Sequence, residues 1–252
     1  MVLLKRIFFF WAALWTAIVT VFSGLGTVLT FLVSSNPKWF NFWSRIWGVG
    51  ILSGVGIRVR THGLGNVPRQ GSYVFAINHQ VALDIPAVGS AIPVPFGWVA
   101  KAELERVPFL GPAIRSSPSV FIDRSHPKRS IETMRQAGEK IRQGVSVAIF
   151  PEGSRSHGKA LGAFKRGAFL LAIEAQVPVI PVTIVNGYQL FNEKERTARP
   201  GTVHIHFGQP IDITGWGRAD IPRLTTLVRS EMLERLGLPQ ETSDTSEAAA
   251  LA

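Results

Sequence analysis

Residues 7 to 33, IFFFWAALWTAIVTVFSGLGTVLTFLV, carry no charged side chain. Such a run exceeds the roughly 20 apolar residues that a helix needs to cross a bilayer. A secretory signal has a shorter apolar region followed by a small-residue cleavage site, so this run reads as a retained anchor. A Ser-Ser-Asn-Pro turn at 34 to 37 leads into a second apolar stretch, KWFNFWSRIWGVGILSGVG, 38 to 56. There Trp39, Trp43 and Trp47 recur every fourth residue, with Phe40 and Arg45 among them, as aromatics do at a membrane interface. Lys5 and Arg6 flank the first stretch on one side, Lys38 and Arg45 on the other. Two helices entering from one side, with Gly24 and Gly26 bending the first, keep both flanks and the following domain on the cytoplasmic side. A single span would separate them. The paired arrangement is the expectation, with residues 1–56 as a two-helix membrane anchor.

Beyond Gly56 the pattern changes. IRVRTH (57 to 62) alternates apolar and polar residues as a half-buried strand does. Strand-like runs recur at 73–77, 96–100, 119–122, 145–150, 179–185 and 202–207. Helical patterns lie between or after them, at 128–143, 165–176 and 219–236. Strands alternating with helices predict an α/β domain over 57–238, leaving 239–252, PQETSDTSEAAALA, as a disordered tail. The net charge of +10 favours anionic partners, and behind an anchor the simplest are lipid headgroups. Charge is the only feature that would suit nucleic acid, and no nucleic-acid motif accompanies it, so no such partner is expected. The absence of cysteine excludes disulfides, thiolate zinc sites and a cysteine nucleophile.

The stretch YVFAINHQVALDIPAV, 73 to 88, places His79 and Asp84 five residues apart between two core-like runs. On a helix that offset turns the side chains about 140° apart, and on a strand it puts them on opposite faces. They meet only if His79 lies in a loop after a strand and Asp84 opens the next helix. Asp84 is a good N-cap residue, and Pro86 is tolerated in a first turn. Read alone, the spacing is equally served by an aspartate that only caps and a histidine that only fills a turn. Two more strand-like runs also end in polar clusters: 119–122 in Asp123-Arg124, and 145–150 in Pro151-Glu152-Gly153-Ser154-Arg155. Sites in α/β sheets gather beyond the carboxyl ends of strands. One crevice would then collect His79, Asp84, Arg124, Glu152 and Arg155.

These clusters, in this order, resemble the glycerolipid acyltransferase family, in particular its bacterial membrane-bound members that acylate 1-acyl-glycerol-3-phosphate. NHQVALD carries the family's Asn-His-x-x-x-x-Asp motif. VFIDR (120 to 124), FPEGSRS (150 to 156) and VPVIPVTI (177 to 184) fit its later blocks, and AKAEL and FKRGAF also fit. Pro118-Ser119 departs from the glycine common there. The resemblance implies a mixed, mostly parallel sheet flanked by helices, behind the two-helix membrane anchor. It also implies transfer of an acyl group from an acyl thioester, acyl-CoA or acyl-ACP, to the sn-2 hydroxyl of 1-acyl-glycerol-3-phosphate, giving phosphatidic acid for phospholipid synthesis, with no cofactor and no metal. His79 would be the base and Asp84 its orienting acid. Lys101, Arg124 and Arg155 would hold the acceptor's phosphate. Glu152 would bind a glycerol hydroxyl or fix an arginine, and Gly153 and Ser154 would bring backbone N–H groups to the oxyanion. The expected location is the bacterial inner membrane, with the catalytic domain facing the cytoplasm.

Alternatives are another lysolipid acceptor, such as a lyso-ornithine lipid or a lysophospholipid, water as acceptor, or a non-catalytic membrane binder. Phosphate-binding arginines would be idle in a hydrolase, and the His79–Asp84 motif in a mere binder. No Gly-x-Ser-x-Gly elbow calls for a covalent intermediate. Pro178 and Pro181 are expected at a sheet edge or donor channel, and His204 and His206 as a solvent-facing pair without a third metal ligand.

Overall fold

A computed structural model of the chain describes residues 2–34, 36–123, 133, 137–139, 141, 142, 144–158 and 160–240. Two helices come first: α1 (Val2–Val33) and α2 (Pro37–Gly54). Asn36 starts α2, its side chain accepting from Lys38 N at 3.0 Å, with Pro37 at the first helical position, where a missing N–H costs nothing. α1 runs unbroken through Gly24 and Gly26. These glycines are sites of close approach rather than bends: a Cβ on Gly24 would meet Phe109 at 2.9 Å, and one on Gly26 the Trp43 ring at 2.4 Å. Trp43 and Trp47 turn inward rather than toward an interface. Their indole N–H groups donate to Thr30 and Thr20 of α1, each at 3.0 Å, and Trp15 donates back to Gly50 O at 2.8 Å. Trp39 remains exposed.

The main sheet has seven strands. They are β1 (Ile57–His62), β2 (Val74–Ile77), β3 (Phe96–Lys101), β4 (Val120–Ile122), β5 (Ser146–Ile149) and β6 (Val179–Val185), with a late strand Gly201–Phe207. The chain makes a small hairpin, β7 (Phe191–Asn192) and β8 (Thr197–Ala198), before that late strand, which is β9. The spatial order is β1-β9-β6-β2-β5-β3-β4, all pairings parallel except β6 with β9. The sheet is therefore mixed and mostly parallel, as the resemblance implied. β2 is buried on both faces, which explains its continuous apolar sequence. Phe75 and Ile77 point to one core layer, with α2 and α3 (Asp84–Ala91). Val74 and Ala76 point to the other, with α5 (Arg166–Ala175) and α6 (Ile221–Leu236). Helix α4 (Leu110–Arg115) closes the first layer beside α1. The expected helix at 128–143 and the tail from 241 fall mostly outside the described residues; 137–139, 141 and 142 are helical.

α2 packs against α3 closely enough that a Cβ on Gly48 would come 2.5 Å from Pro86 O. Asn41 adds a bond to Val94 O at 3.2 Å. The apolar N-terminal pair thus joins directly to the helix that begins at Asp84. The outward side of α1 exposes Leu3, Leu4, Phe10, Leu14, Phe22 and Leu29. Among the described residues, α1 is the one helix long and apolar enough to cross a membrane; α2 does not meet that measure.

Pro181 lies inside β6, between β2 and β9, rather than at a sheet edge, and its carbonyl accepts from Gly208 N at 2.8 Å. His204 and His206 have a third companion. The His62 ring stacks on His206 at 4.4 Å between centroids, and its Nε2 lies 3.0 Å from His204 Nδ1. Parallel pairing of β1 with β9 sets this register, which neither strand's sequence discloses alone.

Candidate active site

β2, β3, β4 and β5 run parallel, so their carboxyl ends share one edge, where the polar clusters follow them. Past β2, Asn78 is buried and bonds twice to β6: its amide donates to Ile184 O at 3.1 Å and its carbonyl accepts from Ile184 N at 2.6 Å. These side-chain bonds pin the first residue past β2 to β6, so His79 starts from a fixed point. His79 Nδ1 lies 2.9 Å from Asp84 Oδ2. Asp84 does not cap its helix forward, as its residue type had suggested. Its Oδ2 reaches back to accept from Gln80 N at 2.6 Å and Val81 N at 2.8 Å. The carboxylate is 1% exposed, with these three contacts on one oxygen. A carboxylate at Nδ1 favours the tautomer protonated there, which leaves the Nε2 lone pair free.

Glu152, after β5, is also buried. Its Oε1 accepts from His79 N at 2.6 Å and its Oε2 from Gly162 N at 2.8 Å. It therefore fixes backbone around His79, buried from solvent, and among the described residues its hydrogen bonds go to backbone amides rather than to Arg155. Burial pushes its carboxyl above the ordinary range, against the two amides and His79, which favour the charged form. Two further bonds, Ser156 N to His79 O at 2.8 Å and His157 N to Gln80 O at 3.1 Å, stitch the two loops together. The His79 ring stacks on Phe150 at 4.1 Å, and Phe150 in turn on Trp98.

Gly153 adopts φ 72°, a left-handed conformation that glycine takes without strain, and its N–H is bound to Phe150 O at 3.0 Å. It turns the chain so that Ser154 and Arg155 line a cavity of about 850 Å³. His79 and Lys101 line it too, and its walls continue between α1 and α2 past Ala12, Thr20, Trp47 and Ile51. Lys101, at the end of β3, is half-exposed and paired with Glu103 at 2.9 Å. The Arg155 guanidinium pairs through Nη1 with Glu193. Arg124 lies outside the described residues. The structure thus gathers His79, Asp84, Glu152, Gly153, Ser154, Arg155 and Lys101, and adds Phe150, His157 and Glu193. Nothing in the local sequence around Glu193 marks it, 38 residues beyond Arg155 and brought back by the β7–β8 hairpin.

An α/β domain with a histidine–aspartate pair past a parallel strand, opening on a long apolar cavity, defines a class. Its site sets an imidazole, held by a buried carboxylate, on the wall of that cavity. The chain belongs to the acyltransferase family, whose model matches residues 58–185. It is 35% identical over 180 residues to the 1-acyl-sn-glycerol-3-phosphate acyltransferase alpha of Mus musculus, covering 71% of this chain and 63% of that protein. It is 26% identical over 181 residues to the 1-acyl-sn-glycerol-3-phosphate acyltransferase of Borreliella burgdorferi, covering 72% of each. The crystal structure of the 1-acyl-sn-glycerophosphate (LPA) acyltransferase PlsC from Thermotoga maritima superposes with a TM-score of 0.76. That match has 25% identity and covers 94% of this chain and 96% of the other.

Proposed function

We propose that this chain is a membrane-bound 1-acyl-glycerol-3-phosphate acyltransferase, moving an acyl group from acyl-CoA or acyl-ACP to the sn-2 hydroxyl and releasing phosphatidic acid. The observation that carries this reading is the His79–Asp84 pair, 2.9 Å apart, with His79 and Arg155 both on the wall of one largely apolar cavity. As the hydroxyl oxygen attacks the thioester carbonyl, His79 Nε2 takes its proton, and Asp84 stabilises the imidazolium. The tetrahedral adduct then expels the thiolate, which recovers that proton. A thiol of pKa about 8.5 leaves with little acid assistance. The N–H groups of Ser154 and Arg155, in the turn set by Gly153, are the donors proposed for the oxyanion. Arg155, with Lys101 and Arg124, holds the phosphate. The cavity between α1 and α2 takes an acyl chain, and the exposed apolar side of α1 sits in lipid with the catalytic domain at the cytoplasmic face. Similarity to proteins named for this activity supports the choice of acceptor. Incubating the purified chain in vesicles with lysophosphatidic acid and acyl-CoA or acyl-ACP, and identifying the product by mass, tests it. Phosphatidic acid is expected. Acylation of other lysolipids only, or release of free fatty acid, rejects it.

A further inference from the structure

Arg155, proposed above for the acceptor's phosphate, is already occupied. Glu193 Oε1 accepts from its Nη1, while Glu193 Oε2 is buried with no donor among the described residues. Facing that oxygen at 3.9 Å is His157 Nδ1, likewise buried and without a hydrogen-bond partner among the described residues. His157 is held at φ 54°, a left-handed conformation that is uncommon for a residue with a Cβ. All three side chains line the cavity. Glu193 leads out of β7, whose Phe191 stacks on Phe9 of α1 at 5.1 Å, so its position is tied to the apolar helix.

We infer that Glu193 is a specificity-determining residue, a built-in counter-anion that an acceptor must displace from Arg155 and that admits phosphomonoester dianions over singly charged headgroups. This rests on the phosphate reading of Arg155. A singly charged phosphodiester offers Arg155 about what the carboxylate already gives, so the exchange gains little. A phosphomonoester carries about −1.5 to −2 at neutral pH, and the exchange favours it. The displaced carboxylate has a place to go. In the Nδ1-protonated tautomer His157 donates to it after a shift of about 1 Å, the difference between 3.9 Å and hydrogen-bond length. Only hydrogen-bond partners change, and no covalent step is involved.

The test compares the full chain with Glu193→Gln, Glu193→Asp and His157→Gln in vesicles. The acceptors are lysophosphatidic acid, a phosphomonoester, and lysophosphatidylglycerol, a phosphodiester. Glu193→Gln should raise kcat/KM for the diester and lower the monoester-to-diester preference about 1.5- to 5-fold, the range for a partly exposed ion pair. Glu193→Asp should keep the preference. His157→Gln should raise the monoester KM at nearly constant kcat. Glu193→Ala supplies the same readout if Glu193→Gln does not fold. An unchanged preference in both neutral variants, with KM raised alike for both acceptors, makes Glu193 a mere structural pin and overturns the inference. A wild type that acylates neither acceptor overturns the proposed function instead.

Discussion

The Glu152 carboxylate accepts the backbone N–H of His79 at 2.6 Å, so the loop bearing the imidazole hangs on a buried acid 73 residues further along the chain. With its other oxygen on Gly162 N, Glu152 fixes two loops at once. Glu152→Gln puts an amide NH₂ against one of those N–H donors. The loss should be about 1.5 to 3 kcal/mol of stability, with a fall in kcat larger than any change in acceptor KM. Thermal unfolding and steady-state kinetics on the same preparation check this. A KM effect alone would return Glu152 to the role of a substrate contact.

Gly48 carries the coupling between the apolar helices and the site. A Cβ there meets Pro86 O at 2.5 Å and Ser90 N at 2.9 Å, backbone atoms of the helix that Asp84 opens. Gly48→Ala should cost about 1 to 3 kcal/mol as overpacking and should lower kcat by tilting α3. Activity and melting temperature equal to wild type would show that α2 and α3 separate without consequence.

The histidine stack predicts an acid-side loss of stability. Burial, and then the charges of His62, Arg235 and His204, hold His206 below its ordinary value. Below about pH 6.5 the unfolded chain therefore binds a proton that the folded chain resists, and stability falls as pH drops from there toward the folded value. His206→Gln should flatten urea midpoints measured between pH 7 and pH 5. A slope identical to wild type would assign the loss to other groups.

Much of this fold was legible because the signals were local. The apolar run of α1, the β2 and β5 runs and the spacing of His79 to Asp84 each lie in one short stretch. What escaped was set by pairing in space. Asp84 bonds backward to Gln80 and Val81 rather than forward, a choice made by the fold of the loop between β2 and α3. Trp43 and Trp47 read as interfacial from their spacing, yet α1 supplies threonine hydroxyls that draw them inward. Glu193 reaches Arg155 only through the β7–β8 hairpin, and His62 reaches His206 only through strand register.

Asp84→Asn separates orientation from charge. The variant should retain a side chain of the same size while losing the charge that fixes the His79 tautomer, and should place an NH₂ against the Gln80 or Val81 amide. A fall in kcat by more than about 100-fold, with a smaller change in acceptor KM, is expected. Equal losses in kcat and in folded fraction, measured by circular dichroism, would mean that the aspartate serves only the loop.

The most direct measurement compares initial rates of acyl transfer to lysophosphatidic acid for wild type and His79→Ala, incorporated equally into the same vesicles. Removal of the proposed general base should lower kcat/KM about 10² to 10⁴-fold while circular dichroism stays unchanged. Transfer at the wild-type rate by a folded His79→Ala protein would contradict the account.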